Sequence, residues 1–133
     1  DENVNATIML LDDKDTIIRK FKRAVTDSEA EVRYGEDKPG ISNLMDIYGC
    51  VTGKTNDEIT AEFAGKGYGD FKLAVGETVA DELAPLQKRY EELLKDKAYI
   101  ENCIKENDAK AAYFANKTLR KVHKKIGLTE MIR

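Results

Sequence analysis

Phe71, Val75, Val79, Leu83, Leu86, Tyr90 and Leu93 recur four, four, four, three, four and three residues apart, which is the spacing of one face of an α-helix. This stripe predicts a long helix over Gly65–Leu94, extending to about Asp96, with Gly65, Gly67 and Gly69 as its entrance. Three glycines in five residues predict a tight turn with several positive φ angles. Pro85 lies inside the pattern without shifting its phase, so the helix continues through a kink. If buried, each stripe residue contributes roughly 1.5–3 kcal/mol before entropy. The other helices are therefore expected to pack on this one.

The remaining pattern is also helical. Ala6–Leu11 is an apolar run of strand length that ends at Asp12-Asp13, either of which suits a helix N-cap. Lys14–Val25 follows, with Ile17, Ile18, Phe21, Ala24 and Val25 as its apolar face and Arg19, Lys20, Lys22 and Arg23 lining much of the rest. The polar stretch 26–40 reads as a loop, with a short extended piece at Glu31–Tyr34. Ile41–Val51 is helical and Gly53 stops it. Thr55 and Glu58 form a capping box for a short helix that Gly65 ends. Beyond the long helix, Lys97–Glu106 reads as a short helix, Asn107-Asp108 as a break and new cap, and Ala109–Ile126 as the last helix. No strands alternate with helices. The prediction is an all-α bundle of five or six helices around one long, Pro-kinked helix, with a short extended N-terminal segment.

A length of 133 residues suits one domain, and the 35% charged content predicts a solvated helical exterior. The net charge of −3 confines any nucleic-acid site to a local patch. Two such patches exist: Arg19, Lys20, Lys22 and Arg23, and Lys117, Arg120, Lys121, Lys124 and Lys125. Residues 109–133 hold seven Lys or Arg against the single acid Glu130, whereas Glu77–Asp108 carries nine acids and five bases. Such polarity steers RNA; equally, it describes a solvated face with lysines favoured at a helix C-terminus. Cys50 and Cys103 read as free thiols, and one His with two distant Cys argues against zinc. No apolar run is long enough to span a membrane, and the expected location is the cytoplasm.

Three candidate motifs have plain explanations. Gly53-Lys54-Thr55 resembles the end of a phosphate loop, but Tyr48 occupies the required first Gly position and a helix precedes it; a helix stop and a cap account for it. Gly65–Gly69 lacks the preceding strand of a dinucleotide fingerprint, although glycines at a helix N-terminus admit a phosphate. His123 has no partner at helical spacing and reads as a surface residue.

The ordered set resembles bacterial tryptophanyl-tRNA synthetase. The carriers are Leu11-Asp12-Asp13, Arg23-Ala-Val-Thr-Asp-Ser-Glu29, Val32-Arg33-Tyr34, Lys38-Pro-Gly-Ile-Ser-Asn-Leu44 with Ile47-Tyr48, Gly65-Lys-Gly-Tyr-Gly-Asp-Phe-Lys72, and Pro85-Leu-Gln-Lys-Arg-Tyr90. The chain begins with Asp1, not Met, and Asp1-Glu2-Asn3 is similar to the sequence that follows the family's Lys-Met-Ser-Lys-Ser loop. The resemblance implies a C-terminal fragment: residues 1–13 as a linker or strand remnant after that loop, and residues 14–133 as the helical, anticodon-binding domain.

The parent enzyme implied is a homodimeric class I tryptophan–tRNA ligase using ATP and Mg²⁺. Its Rossmann catalytic domain would be a further partner in the same chain. No residue here matches a catalytic motif, so the fragment is expected to hold no cofactor and to be inactive alone. By resemblance, Asp27 and Lys72 are expected to contact anticodon bases; Arg23, Arg33 and Lys66 are candidate supporting contacts, and the single-stranded anticodon loop makes Tyr68 or Tyr34 candidate stacking platforms. An Asp accepts from a cytosine amino group, and Lys meets phosphate or a base acceptor. The reading of Asp27 from its own surroundings is a cap for its loop backbone. The alternative to RNA binding is a structural helical interaction domain without RNA specificity.

Overall fold

The computed structural model describes residue 3 and residues 5–128. Asp1 and Glu2 of the family-like opening, and Glu130 and Arg133 of the basic tail, lie outside the described residues. Among those described there are five helices and no strand: α1 (Lys14–Lys22), α2 (Pro39–Thr52), α3 (Asn56–Glu62), α4 (Tyr68–Lys95) and α5 (Lys97–Ile126). The all-α prediction holds.

The chain divides into two compact units, Asp1–Arg89 and Tyr90–Arg133. The first is built on a buried apolar core from α1, α2, α3 with its C-cap Phe63, the first half of α4 and Val32 of the α1–α2 loop: Ile17, Phe21, Val32, Ile41, Leu44, Met45, Tyr48, Ile59, Phe63, Tyr68, Phe71, Val75 and Ala80. At its centre Tyr48, Phe63 and Phe71 meet edge to face, with centroids 4.9–6.1 Å apart, a geometry favoured by the ring quadrupole. Gly76 is where α1 meets α4. A Cβ there would lie 3.0 Å from Ile18 Cα and 3.5 Å from Phe21 Cβ, so a mid-helix glycine permits the close approach of the two helices.

Local signals place the ends. Asp13 caps α1, its side chain accepting from the Thr16 N–H at 2.8 Å. Thr55 and Glu58 exchange both capping-box bonds. Gly53 and Gly65 are left-handed (φ 74° and 77°), whereas Gly67 and Gly69 are not; the expected series of positive φ angles at the α4 entrance shrinks to one. Pro85 lies within α4. Gln87 Nε2 donates to the carbonyls of Leu10 (3.0 Å) and Asp12 (2.8 Å), tying the N-terminal segment to α4. That segment pairs in no sheet, and Met9, Leu10 and Leu11 are exposed.

Four expectations are corrected. Helix α1 stops at Lys22, and Val25 is 89% exposed, so Val25 belongs to the loop and not to the helix face. Lys20 is not part of a solvated basic face; it is buried and donates to Asp12 Oδ2 at 2.6 Å and the Thr7 carbonyl at 2.8 Å. The α4 stripe is buried only in its first half: Phe71 and Val75 are fully buried, but Leu86 and Tyr90 are 46% and 43% exposed. Finally, Asn107-Asp108 breaks nothing. The second unit is the end of α4 from Tyr90 and one continuous α5 of 30 residues, capped by Asp96 accepting from the Tyr99 N–H at 3.0 Å. Asn and Asp cost a helix interior only about 0.7 kcal/mol each relative to Ala, and neither Gly nor Pro is present to enforce a stop. No α5 residue is buried.

Candidate nucleic-acid interface

The first unit gathers polar side chains where the α1–α2 loop meets the start of α4. Residue 39 is Pro, which opens α2, and Gly40 follows it. A Cβ on Gly40 would stand 2.4 Å from the Val25 carbonyl oxygen; only glycine lets the Val25-Thr26 backbone of the loop lie on this helix start. The loop then presents Asp27 to the hydroxyl of Tyr68, the first residue of α4.

Asp27 Oδ1 accepts three hydrogen bonds: Tyr68 O–H at 2.6 Å, the Glu29 N–H at 2.9 Å and Lys38 Nζ at 3.0 Å. Lys38, only 1% exposed, also donates to Tyr68 Oη at 2.9 Å and pairs with Glu29 Oε2 at 2.7 Å. Its three N–H donors are thereby matched by three acceptors. Lys72, one helical turn beyond Tyr68, donates to the Ala24 carbonyl and to Thr26 Oγ1, both at 2.8 Å. Asp27 Oδ2 is closed to solvent and has no hydrogen-bond partner, alone among buried side-chain polar atoms of the described residues.

The ionisation of the group follows from these bonds. The hydrogen bond from Tyr68, helped by the Glu29 N–H and Lys38, outweighs burial and holds the Asp27 carboxyl well below the usual range. Burial pulls Lys38 down, but its bonds to Glu29, Tyr68 and Asp27 more than reverse this, and it stays an ammonium. Burial, then the bond to the Asp27 carboxylate, pushes the Tyr68 phenol up. Burial pulls Lys72 down; its two acceptors are neutral.

Of the seven residues singled out for RNA contact, the structure brings Asp27, Tyr68 and Lys72 together and leaves four elsewhere. Tyr68 contributes its hydroxyl, its ring being buried; Tyr34, 48% exposed, donates to Asp46 at 3.3 Å. Arg33 is held by Asp37, with Glu31 and Glu29 at 3.6 and 3.7 Å. Lys66 lies 5.0 Å over the Phe63 ring, on the wall of a cleft of about 440 Å³ shared with Glu29, Ala30 and Gly67. Arg23 is exposed and lines a different groove, of about 620 Å³, with Lys20 and Asn43.

Lys38 is the member that sequence reasoning missed. A signal existed: a lysine at a helix N-cap opposes the helix dipole, and it makes no cap bond of its own. Such a local violation points to a tertiary task.

The model of class I tRNA synthetases (W and Y) matches residues 1–84. The chain belongs to that family. The tryptophan–tRNA ligase of Clostridium tetani is 47% identical over 126 residues, covering 95% of this chain and 37% of the relative. That of Wolinella succinogenes is 44% identical over 124 residues, covering 93% and 38%. The crystal structure of tryptophanyl-tRNA synthetase from Mycoplasma pneumoniae matches with a TM-score of 0.70 at 26% identity, over 97% of this chain and 40% of that one. The chain thus spans 37–40% of the length of these relatives.

Membership of the class I synthetase family is consistent with use of ATP. Among the described residues no group of three His, Cys, Asp or Glu is placed to hold a metal ion. Gly53–Thr55 is a left-handed helix end followed by a capping box, with its polar groups engaged locally. These residues do not fit the nucleotide or the ion, and no step through either is assigned to them. No helix among the described residues is long and apolar enough to cross a membrane.

Proposed function

We propose that the chain is the helical anticodon-binding part, residues 14–133, of a tryptophan–tRNA ligase, with residues 1–13 leading into it from the catalytic half. In this reading the whole enzyme attaches tryptophan to its tRNA in the cytoplasm, using ATP and Mg²⁺. Its Rossmann domain and a second copy of the enzyme are the protein partners.

The observation that carries the reading is the junction of Asp27, Lys38, Tyr68 and Lys72. A loop and a helix start converge on an ionised carboxylate with one oxygen unclaimed. Acids are as frequent as bases around it, so the site suits hydrogen bonding to a base edge better than holding a phosphate. Anticodon bases are single-stranded and present such edges. The relatives' names add tryptophan and tRNA.

The test is titration of the 133-residue chain with the tRNA for tryptophan and with unrelated tRNAs. Preferential binding that Asp27→Ala weakens at least tenfold supports the reading; equal binding of all tRNAs, indifferent to Asp27→Ala, favours the alternative of an interaction domain without RNA specificity. That alternative draws on the second unit, where Tyr99, Tyr113, Phe114 and Ile126 are at least half exposed. Tryptophan-dependent exchange of pyrophosphate into ATP by this chain would contradict the assignment of catalysis to the other half.

A further inference from the structure

We propose that Lys38 is a positioning residue for RNA recognition: it commits one oxygen of Asp27 to the fold and reserves the other, Oδ2, for an exocyclic amino group of a single-stranded base. This rests on the anticodon-binding reading above and assigns how that site is set.

The geometry makes the case. A carboxylate has about four acceptor positions spread over two oxygens. Here three donors from three directions, the Glu29 N–H, Tyr68 Oη and Lys38 Nζ, crowd onto Oδ1, and none reaches Oδ2. An unpaired carboxylate oxygen away from water is costly. The fold carries that cost at one atom of the described side chains, in the residue that the family resemblance brings to the anticodon.

Lys38 makes the asymmetry possible. It touches Asp27, Glu29 and Tyr68 at once, and Pro39, which follows it, fixes where α2 starts. Without its ammonium the carboxylate could rotate to share its donors between both oxygens. The same ammonium pairs with Glu29, the neighbour of Ala30, whose φ of 62° is left-handed for a residue with a Cβ. Because Oδ2 is closed to solvent, a base reaches it only after this loop gives way locally, and a segment held in a sparsely populated conformation is suited to that. The charged or titratable groups facing Asp27 are Lys38 from the start of α2, Tyr68 and Lys72 from α4, and Glu29 from its own loop.

The test uses the 133-residue chain with two unmodified transcripts of the tryptophan tRNA, one natural and one with an anticodon cytosine changed to uracil, which replaces the amino donor by a carbonyl. The wild type is expected to prefer the natural transcript by about tenfold or more. Lys38→Met, folded by circular dichroism, is expected to reduce that preference to about twofold or less. In the free protein, Lys38→Met raises the midpoint of the Asp27 carboxyl titration followed by carbon NMR. Full preference in a folded Lys38→Met, where Asp27→Ala abolishes it, overturns the role of Lys38 and leaves the anticodon reading standing. Absence of any preference in the wild type overturns both. If Lys38→Met does not fold, Tyr68→Phe takes its place, removing the shared hydroxyl and keeping the ring; retained preference in that variant overturns the proposal, and its loss supports it.

Discussion

The two units carry one pattern with opposite outcomes. In the first, the three-and-four spacing of α4 places Phe71 and Val75 at 0% exposure. In the second, the same spacing along α5 places Leu119, Val122 and Ile126 at 50%, 43% and 62%. Periodicity fixes which side chains share a face. Whether that face is covered depends on what else the chain supplies. The first unit has Tyr48 and Phe63 to close over Phe71, and Gly76 to let α1 approach. The described part of the second unit supplies α5 and the last turns of α4, with a shallow groove of about 500 Å³ lined by Tyr90, Leu93, Tyr99 and Ile104.

The largest expected effect is Phe71→Ala, about 3–5 kcal/mol by loss of transfer energy and creation of a cavity. Tyr113→Ala in the second unit is expected to stay within about 0.5 kcal/mol, since its ring is 61% exposed. Urea unfolding followed by far-UV circular dichroism compares them; equal costs would erase the distinction between the units. Next is Gly76→Ala. It gains about 1 kcal/mol of helix propensity, but its Cβ meets Ile18 Cα at 3.0 Å, and overpacking against backbone costs about 1–3 kcal/mol. The expected net is a loss of about 1 kcal/mol, seen as a lower Tm.

A graded effect should follow acidification. The carboxyls of Asp12, Asp13, Asp27, Asp37 and Glu58 are all held below their ordinary values of 3.8 (Asp) and 4.5 (Glu), the first by the hydrogen bond from Lys20, the second by the Thr16 N–H, then by hydrogen bonds from Tyr68, Arg33 and the Thr55 N–H respectively. Each therefore contributes stability that is complete above its unfolded value and is lost as pH falls through its depressed folded one. The urea midpoint of the first unit is expected to be flat from pH 7 to 5 and to fall below about pH 4. Asp27→Asn should remove part of that fall; an unchanged acid profile in this variant would show that the carboxylate is not paired in solution.

The reach of the sequence follows the range of the forces involved. Caps, glycine stops and the all-α architecture are set within a few residues, and Asp13, Gly53 and the Thr55–Glu58 box were all legible. Asp27 and Lys72 were linked to one site only through family resemblance; the bonds that join their loop and α4 run over more than 40 residues of chain. Lys38 was not legible, because two of its three partners lie 11 and 30 residues away. The burial of Lys20 and the exposure of Leu86 and Tyr90 are tertiary outcomes that no periodicity encodes.

The smallest effect decides a question of sign. At Asn107 the local reading and the structure disagree: one makes Asn107-Asp108 a break and new cap, the other places both inside α5. A cap replaced by Ala loses about 1 kcal/mol, whereas an interior Asn replaced by Ala gains about 0.7 kcal/mol of propensity. Asn107→Ala is therefore expected to slow amide exchange in residues 104–112, and Asp96→Ala, at the true cap, to speed it in residues 97–100. Faster exchange on both sides of position 107 in Asn107→Ala would split α5 in two and give the second unit a helical hairpin in place of one long rod.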